Sequence, residues 1–474
     1  MYIKLGLFIG GKWIYEAKKG EDVLNPFDES VLGWLPHATE DNLNDAVKSA
    51  EKGFDEWRNT DPETRGRIIL KAADILSKRI SAVSEVMTLE QGKPLAESAG
   101  EINQSIAILK FNGTNAKLIK DDLVADRENG LKTLIKPQPL GVCLCLTAWN
   151  FPIALVIRKI APALAAGCSV IIKPSEETPG TAVEVVKIFL EAGLPKDVIN
   201  LVFGVPHEIS DYLLSRDEVK KVSFTGSVPV GKLLAKKSAE TLKRCTLELG
   251  GHSPAIIAED ADIEATLDTL TGFKFRNAGQ VCIAPSRFYV HEKIYDQVKD
   301  GFLKRIKNII LGNGMNEGVS MGPLSNSRRV DAMKDFVDDA VKNGSNIIYG
   351  GSRYKGVGYF WEPTLIENIN EGSKMMTQEI FGPILPLFKF KDYDDVIEKA
   401  NSLNFGLASY VYTTSKTLQE KMAKEIIAGG VSINTAAPMH PEIPYGGIKE
   451  SGIGYEGGMD AIYSYIHKKN INII

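Results

Sequence analysis

The sequence is poor in cysteine and histidine. It holds 5 cysteines and 6 histidines in 474 residues. The cysteine number is odd, and no two cysteines have the spacing of a zinc site or belong to a disulfide framework of the small secreted type. These shortages predict a protein that has no metal site and works in a reducing, cytoplasmic compartment.

An excess of charge of one sign is also missing. The 56 lysines and arginines nearly balance the 60 aspartates and glutamates, and the formal net charge is −4. No run of basic residues stands out along the chain. The charge pattern therefore predicts neither a nucleic-acid partner nor binding to a membrane surface.

Long hydrophobic runs are lacking as well. Residues 137–157 carry no charge, but Pro137, Pro139 and Pro152 interrupt them. This stretch predicts a strand followed by the start of a helix rather than a membrane span. The N-terminus shows no signal-peptide pattern.

What the sequence does have is a regular alternation of apolar and amphipathic segments. Between residues 142 and 250, short apolar segments alternate with helix-like segments that end at Gly167 and Gly193. A second round of the same alternation runs from about residue 255 to about residue 433. The pattern predicts two α/β lobes built on largely parallel sheets.

The two ends of the chain differ from this pattern. The first part is predicted to be helical, with one helix that begins near Thr39. A second helix is predicted to begin at Pro62 and to run through RGRIILKAADILSKRISAVSEVM, residues 65–87. The tail SYIHKKNINII, residues 464–474, has no helix signal. We expect the tail to pair with the polar segment 122–141 in a small sheet.

Polar side chains stand at the ends of three predicted strands, namely Asn150, Lys173 and Glu248. Ligands bind a doubly wound sheet at this edge. A buried carboxylate such as Glu248 is costly unless it is paired or poised for proton transfer. From the pattern alone, Glu248 is either such a group or a structural residue that caps a turn.

Two glycine-rich stretches resemble phosphate-binding turns. In FTGSVPVG, residues 224–231, the glycines flank a predicted helix start and either present N–H groups to a phosphate or make a plain turn. GIGYEG, residues 452–457, follows no predicted strand and is interpreted as a chance match to G-x-G-x-x-G.

The stretch NAGQVCIAP, residues 277–285, places Cys282 between Gly279 and Pro285. From these residues alone, Cys282 is either a small buried hydrophobe or a nucleophile. The other four cysteines are interpreted as buried core residues.

Seven motifs occur in a fixed order along the chain: TAWNFP (147–152), IIKPSEETP (171–179), FTGS (224–227), LELGG (247–251), GQVC (279–282), QEIFGP (378–383) and YGGIKESG (445–452). In this order they resemble the aldehyde dehydrogenase superfamily, in particular its succinate-semialdehyde and 2-oxoglutarate-semialdehyde dehydrogenase branch. The resemblance covers essentially the whole chain.

The resemblance implies an α/β fold with three parts. A Rossmann-like dinucleotide-binding domain takes residues 1–121 and 142–250, and a second α/β lobe, the catalytic domain, takes residues 251–443. Residues 122–141 and 461–474 form a small β oligomerisation element. Since a free edge strand favours pairing, the resemblance also implies a homo-oligomer, a homotetramer built as a dimer of dimers.

Three catalytic roles follow from the resemblance. Cys282 matches the nucleophile that attacks an aldehyde carbonyl. The side-chain amide of Asn150 and the backbone N–H of Cys282 match the donors that stabilise the resulting oxyanion. Glu248 matches the base that activates water to release the acid from a thioester.

The resemblance further implies a nicotinamide dinucleotide as cofactor. Glu176 matches a residue that accepts hydrogen bonds from the adenosine ribose and repels a 2′-phosphate. NAD is therefore the predicted preference, and NADP stays possible because Lys173 is close in sequence. The matching cofactor residues are Thr147, Trp149, Asn150, Lys173, Ser175, Glu176, Gly226, Ser227, Leu249, Glu379 and Phe381.

Two arginines bear on the substrate. Arg158 lies eight residues after Asn150, and Arg276 lies six residues before Cys282. Both match arginines that bind the distal carboxylate in succinate-semialdehyde dehydrogenases, and guanidinium groups suit this task. The alternative for Arg158 is a structural salt bridge. His440 falls near a further substrate contact, and succinate semialdehyde is the first choice.

Several residues depart from that branch. Ala284 stands where a second cysteine is frequent, and Tyr445 stands where phenylalanine is more usual. The segment YEGGMDAIYSY, residues 455–465, resembles dehydrogenases of 2-oxoglutarate semialdehyde. That substrate, or a broad range of uncharged aldehydes, is therefore an alternative. A CoA-acylating enzyme is disfavoured by Glu248, and a silent structural protein by the complete catalytic set.

Overall fold

Two large sheets organise the computed structural model, which describes residues 2–127, 130–354, 356–370, 372–436 and 439–474. The strands are β1 (Leu7–Ile9), β2 (Lys12–Ile14), β3 (Gly20–Leu24), β4 (Val31–Pro36), β5 (Asp122–Asp126), β6 (Lys132–Pro139), β7 (Val142–Leu146), β8 (Ser169–Lys173), β9 (Ile199–Leu201), β10 (Val219–Thr225), β11 (Arg244–Glu248), β12 (Ser253–Ile257), β13 (Pro285–His291), β14 (Asn346–Tyr349), β15 (Thr364–Glu367), β16 (Ile384–Phe390), β17 (Ala408–Tyr412), β18 (Gly430–Ile433), β19 (Gly452–Ile453) and β20 (Ile466–Ile473). The helices are α1 (Glu40–Trp57), α2 (Pro62–Ser77), α3 (Ile80–Gln91), α4 (Leu95–Asn115), α5 (Pro152–Ala166), α6 (Pro179–Ala192), α7 (Pro206–Ser215), α8 (Val228–Ala239), α9 (Ile263–Phe275), α10 (Tyr295–Ile306), α11 (Ser327–Lys342), α12 (Lys374–Thr377), α13 (Tyr393–Asn401), α14 (Lys416–Glu425) and α15 (Gly458–Tyr463).

Most helix ends lie where the sequence predicts them. The Thr39 side chain caps α1 by accepting a backbone N–H of the first turn. Helices α5 and α6 end at Gly167 and Gly193, which adopt left-handed φ angles of 98° and 99°. The run predicted from Pro62 is instead two helices, because Arg79 leaves helical geometry between α2 and α3. In the described part of the chain, no helix is long and apolar enough to cross a membrane.

The first sheet has the strand order β19-β11-β10-β7-β8-β9-β1-β2. Its five central strands run parallel, with α5 to α8 as the connections, which confirms the predicted doubly wound lobe. Strands β1 and β2 extend the sheet antiparallel beyond β9. The prediction of a mainly helical start missed them, because three-residue strands are too short to show alternation.

GIGYEG forms no phosphate-binding turn. Gly452 and Ile453, its first residues, are strand β19, which pairs antiparallel with β11 at the edge of the first sheet. The stretch then carries Glu456 to the wall of the central cavity described below. Gly452 pairs with β11, and Gly454 and Gly457 adopt the positive φ angles of a turn.

The second sheet has the order β14-β15-β16-β13-β12-β17-β18 and is parallel except for β14. It confirms the second α/β lobe. Helix α9 was not predicted, because its sequence IEATLDTLTGFKF mixes threonines and a glycine that weaken helix propensity.

The third sheet has the order β20-β6-β5. Strand β20 pairs antiparallel with β6, from Ile466 opposite Pro139 to Ile473 opposite Lys132. The predicted pairing of the tail with segment 122–141 is therefore present. The predicted β element 461–474 begins too early, because residues 461–463 belong to helix α15 and strand β20 starts at Ile466. Leu123 and Val124, on β5, leave 53% and 56% of their surface exposed, so the sheet presents apolar side chains at its open edge.

Candidate active site

A cavity of about 820 Å³ lies between the two large sheets. Its wall comes from segments that follow β7, β10 and β11 in one sheet and precede β13 and β16 in the other. The predicted site residues on this wall are Trp149, Asn150, Arg158, Gly226, Ser227, Glu248, Leu249, Arg276, Cys282, Glu379, Phe381 and His440. The candidate nucleophile, base, oxyanion donor and arginines therefore share one space.

The turn before Cys282 has an unusual backbone. Asn277, Ala278 and Gly279 all have positive φ angles, of 51°, 51° and 72°. This conformation is costly for side chains other than glycine and is found at functional sites. A Cβ atom on Gly279 would lie 2.2 Å from the carbonyl oxygen of Gly382, so the turn requires glycine there. The turn directs Cys282 into the cavity.

Asn150 is held on three sides. Its side-chain Nδ2 donates to the backbone carbonyl oxygen of Gln280 at 3.1 Å. The backbone carbonyl oxygen of Asn150 accepts from Lys93 Nζ at 2.8 Å and from Asn277 Nδ2 at 2.9 Å. Lys93 is buried and paired with Glu101 at 2.6 Å. These contacts fix the backbone and the side-chain amide of Asn150 beside the nucleophile turn, and no described residue accepts a hydrogen bond from the second N–H of that amide.

The Cys282 thiol lies 3.5 Å from the Tyr445 hydroxyl. Burial above all, together with the nearby Glu379 and Glu248 carboxylates, raises the pKa of this thiol to about 12. Two contacts oppose this rise, namely the Tyr445 hydroxyl and the backbone N–H of Cys282. The thiolate therefore depends on these donors.

Glu248 ends β11 and is only 4% exposed. Neither of its carboxylate oxygens has a hydrogen-bond partner among the described residues. Burial raises its pKa well above the usual range, and the neighbouring Glu456 carboxylate adds to the rise. Glu456 is itself paired with buried Lys159 at 2.5 Å. Glu248 thus has two free oxygens and a raised pKa, as a base that awaits water requires.

An aromatic pair stands on one side of the cavity. The rings of Trp149 and Phe381 pack edge to face with centroids 5.6 Å apart. Phe381 has a positive φ of 47°. Arg329 Nη2 stabilises this strained backbone by donating to the carbonyl oxygens of Ile380 at 2.6 Å and of Phe381 at 2.9 Å. The two rings form an apolar surface against which a planar ring is able to pack.

Glu379 lies next to this wall. It accepts a hydrogen bond from the backbone N–H of Gly251 at 3.2 Å, and a Cβ atom on Gly250 would lie 2.4 Å from its Oε2. Burial raises the pKa of Glu379 to about 7, against the lowering effect of the Gly251 N–H, Arg329 and Lys274. At this position the Glu379 carboxylate is able to accept a hydrogen bond from a sugar hydroxyl.

Helix α8 begins directly after Ser227, and no side chain caps it. The N–H of Gly226 is already used by the carbonyl oxygen of Glu248, at 3.1 Å. The first N–H groups of α8 are therefore the donors that suit an anion. Leu249 is packed against the helix so closely that a Cβ atom on Gly231 would lie 2.4 Å from its Cδ2.

The remaining predicted cofactor residues lie at the ends of β7 and β8, off the cavity wall. Lys173 pairs with Glu176 at 2.6 Å, and Glu176 also accepts from the N–H of Gly204 at 3.4 Å. Thr147 and Ser175 are buried beside them. With the aromatic wall and the uncapped helix, these groups fit a nicotinamide dinucleotide laid along the edge of the first sheet.

The two arginines lie on aromatic rings. The guanidinium of Arg158 is 5.8 Å from the ring centre of Tyr445, and that of Arg276 is 5.3 Å from the ring centre of Phe151. Arg158 is only 4% exposed, and its Nη2 has no hydrogen-bond partner within the described ranges. Neither arginine has a carboxylate within 4.0 Å in the part of the chain that the structure describes. The structural salt bridge that the sequence allowed for Arg158 is therefore absent there.

Three residues on the wall and one behind it were not predicted as site residues, although each interacts with one that was. Sequence reasoning noted Tyr445 only as a departure from a usual phenylalanine. Glu456 lies in GIGYEG, which was interpreted as a chance match, and none of the seven motifs includes Lys93 or Arg329. These residues are Lys93, which holds Asn150; Arg329, which holds Phe381; Tyr445, which faces Cys282; and Glu456, which faces Glu248. His440 lies exposed at the edge of the cavity.

Comparison with known proteins agrees with this geometry. Residues 13–471 match the model of the aldehyde dehydrogenase family. The mitochondrial succinate-semialdehyde dehydrogenase of rice is 37% identical over 98% of this chain and 88% of the relative. The succinate-semialdehyde dehydrogenase [NADP(+)] of Escherichia coli strain K12 is 35% identical over 97% of this chain and 96% of the relative. The crystal structure of succinate-semialdehyde dehydrogenase from Burkholderia pseudomallei has a TM-score of 0.96 and 34% identity, covering 99% and 97% of the two chains. The chain therefore belongs to the aldehyde dehydrogenase family and is an oxidoreductase.

Proposed function

We propose that this enzyme oxidises a semialdehyde acid, with succinate semialdehyde as first choice, to the dicarboxylic acid. Arg158 carries this proposal. It is buried on the wall that also holds Cys282, and its Nη2 has no partner among the described residues. A buried guanidinium that lacks a hydrogen-bonded carboxylate is costly, and the distal carboxylate of the substrate supplies that partner. Relatives named succinate-semialdehyde dehydrogenases support the choice.

Attack begins at Cys282. Its sulfur bonds to the aldehyde carbon, and the carbonyl oxygen becomes an oxyanion. The second N–H of the Asn150 amide and the backbone N–H of Cys282 are placed to donate to that oxyanion. Because Asn150 is already held by Lys93 and Gln280, little reorganisation is needed.

Trp149, Phe381 and Glu379 would hold a nicotinamide, which would supply the hydride acceptor that oxidation of this adduct to a thioester requires. Glu248 then takes a proton from water, and the resulting hydroxide attacks the thioester carbonyl. The carbon–sulfur bond breaks, the Cys282 thiolate leaves, and the acid is released. The unpartnered oxygens of Glu248 suit this step because they are free to hold the water.

A comparison of two aldehydes tests the substrate proposal. Succinate semialdehyde and butyraldehyde have the same carbon chain, but only the former has a distal carboxylate. We expect kcat/KM to favour succinate semialdehyde by roughly a thousandfold or more, because butyraldehyde leaves the arginines unpaired. Arg158→Gln should lower kcat/KM for succinate semialdehyde by about a hundredfold and change the value for butyraldehyde little.

A ratio near one would make the arginines structural and favour an enzyme for uncharged aldehydes. If the ratio is large, 2-oxoglutarate semialdehyde is the next substrate to compare, since its longer chain tests the reach between Arg158 and Cys282. Arg276→Gln serves as the parallel variant for the second guanidinium.

We further propose that NAD is preferred over NADP. In support, the Lys173 charge is already paired with Glu176, at 2.6 Å. A 2′-phosphate near Glu176 would therefore meet a carboxylate rather than a free cation. We expect kcat/KM with NAD to exceed kcat/KM with NADP by about tenfold or more. The Glu176→Gln variant should have a smaller ratio of these two values than the unmodified enzyme. Higher efficiency with NADP in the unmodified enzyme would contradict this preference.

We also propose that the enzyme is a cytoplasmic homotetramer, a dimer of dimers. Exposed apolar side chains on β5 and the long strand β20 provide an edge that another chain is able to cover. The five cysteines are unpaired, which suits a reducing compartment. Light scattering measures the mass directly, and a value of one chain, 51.9 kDa, would contradict the assembly.

A further inference from the structure

The Tyr445 side chain lies between Cys282, the candidate nucleophile, and Arg158, which is proposed to bind the substrate carboxylate. Its hydroxyl lies 3.5 Å from Cys282 Sγ, and its ring faces the Arg158 guanidinium. Both Tyr445 and Cys282 line the central cavity and keep part of their surface open to it. The hydroxyl therefore contacts an atom that reacts.

The backbone fixes Tyr445 in this place. Tyr445 and Glu456 form an isolated antiparallel bridge in which each backbone N–H donates to the other's carbonyl, at 2.5 and 2.6 Å. The next residue is Gly446, where a Cβ atom would lie 2.4 Å from the Gly454 carbonyl oxygen and 3.4 Å from Glu248 Oε1. The backbone bridge between Tyr445 and Glu456 thus places Tyr445 next to the Cys282 thiol and Glu456 next to Glu248.

In the hydrogen bond between Tyr445 and the Cys282 thiolate, only Tyr445 is able to be the donor. Burial raises the pKa of Tyr445 well above its usual value, so its phenol keeps its proton at neutral pH. A protonated phenol is able to donate to a thiolate, which only accepts. The thiolate is otherwise disfavoured by burial and by two nearby carboxylates. A donor at this position favours the reactive form of Cys282.

We propose that Tyr445 is a further catalytic residue, whose hydroxyl donates a hydrogen bond to the Cys282 thiolate and so increases the fraction of thiol that is ready to attack. This inference rests on the proposed role of Cys282 as nucleophile. Phenylalanine at this position would keep the ring beside Arg158 and lose only the donor.

Tyr445→Phe tests the proposal without aldehyde or cofactor. The rate of alkylation of Cys282 by iodoacetamide, followed on the Cys282 peptide by mass spectrometry, reports the thiolate fraction. At a fixed pH below the thiol pKa, we expect the variant to react about tenfold more slowly, a shift of about one unit in the pKa of Cys282. With substrate, kcat should fall while KM for succinate semialdehyde stays near its original value.

Tyr412→Phe is the matched control. Tyr412 is also buried, and its hydroxyl has no hydrogen-bond partner among the described residues, so its removal should leave the alkylation rate unchanged. Equal alkylation rates for Tyr445→Phe and the unmodified enzyme would overturn the proposal, as would a raised KM with unchanged alkylation. Full activity of Cys282→Ala would instead refute the proposed function, and the alkylation rates would still show whether Tyr445 stabilises the thiolate.

Discussion

Replacing Cys282 with alanine should abolish aldehyde oxidation, with kcat/KM lowered by roughly ten-thousandfold or more. The turn at 277–279, with three successive positive φ angles, directs this side chain into the cavity. No other cysteine lies on the cavity wall among the described residues, so no other thiol is placed to replace it. Initial rates of NAD reduction with succinate semialdehyde measure the effect.

Binding must be separated from catalysis in this test. Cys282→Ala should still bind NAD, since the Trp149 and Phe381 wall and the Glu379 carboxylate remain, and fluorescence titration of the tryptophans measures that binding. Cys245→Ala is the control variant, because Cys245 is partly buried on β11 and lies off the cavity wall. Substantial oxidation by Cys282→Ala would show that the nucleophile has been misassigned.

Replacing Glu248 with glutamine should divide the reaction into a fast and a slow phase. Attack by Cys282 needs no base at this position, so each active site should release one reduced cofactor in a burst. Hydrolysis of the thioester should then be slower by about a hundred- to ten-thousandfold, because glutamine takes no proton from water. Stopped-flow absorbance measures both phases, and the trapped acyl group is detected by mass on the Cys282 peptide.

The pH dependence of the slow phase gives an independent check. Burial and Glu456 raise the pKa of Glu248, and the base acts only when it has lost its proton. In the unmodified enzyme, hydrolysis should therefore accelerate as pH rises through that pKa, and Glu248→Gln should lose this dependence. A variant with normal turnover and no burst would mean that another group activates the water.

The local chemistry of this site could be predicted from the sequence. Asn150 and Glu248 follow or end apolar strands, and the edge where parallel strands end is where ligands bind. The structure places both on one cavity with Cys282. The positions of Asn150, Glu248 and Cys282 could be predicted because strand, turn and glycine signals lie next to them in the chain.

Other parts of the fold could not be predicted from local pattern. Strands β1 and β2 are three residues each, and they exist because β9 offers them an edge. Helix α9 has weak intrinsic propensity and is stabilised by burial of Leu267, Leu270 and Phe275 in the core of the second lobe. In these segments tertiary packing outweighs local preference.

By itself, the sequence determined the α/β class and the order of the motifs, because each depends on neighbouring residues. The family resemblance that these motifs carry identified the candidate nucleophile and base, which the neighbouring residues alone left open. Only the tertiary structure decided that Arg158 has no ion-pair partner within the described chain, and that Tyr445 meets Cys282. Tyr445 is 163 residues from Cys282 along the chain, and Lys93 is 57 residues from Asn150. Contacts between such distant segments arise from the packing of whole sheets and loops, and no local pattern of residues encodes them.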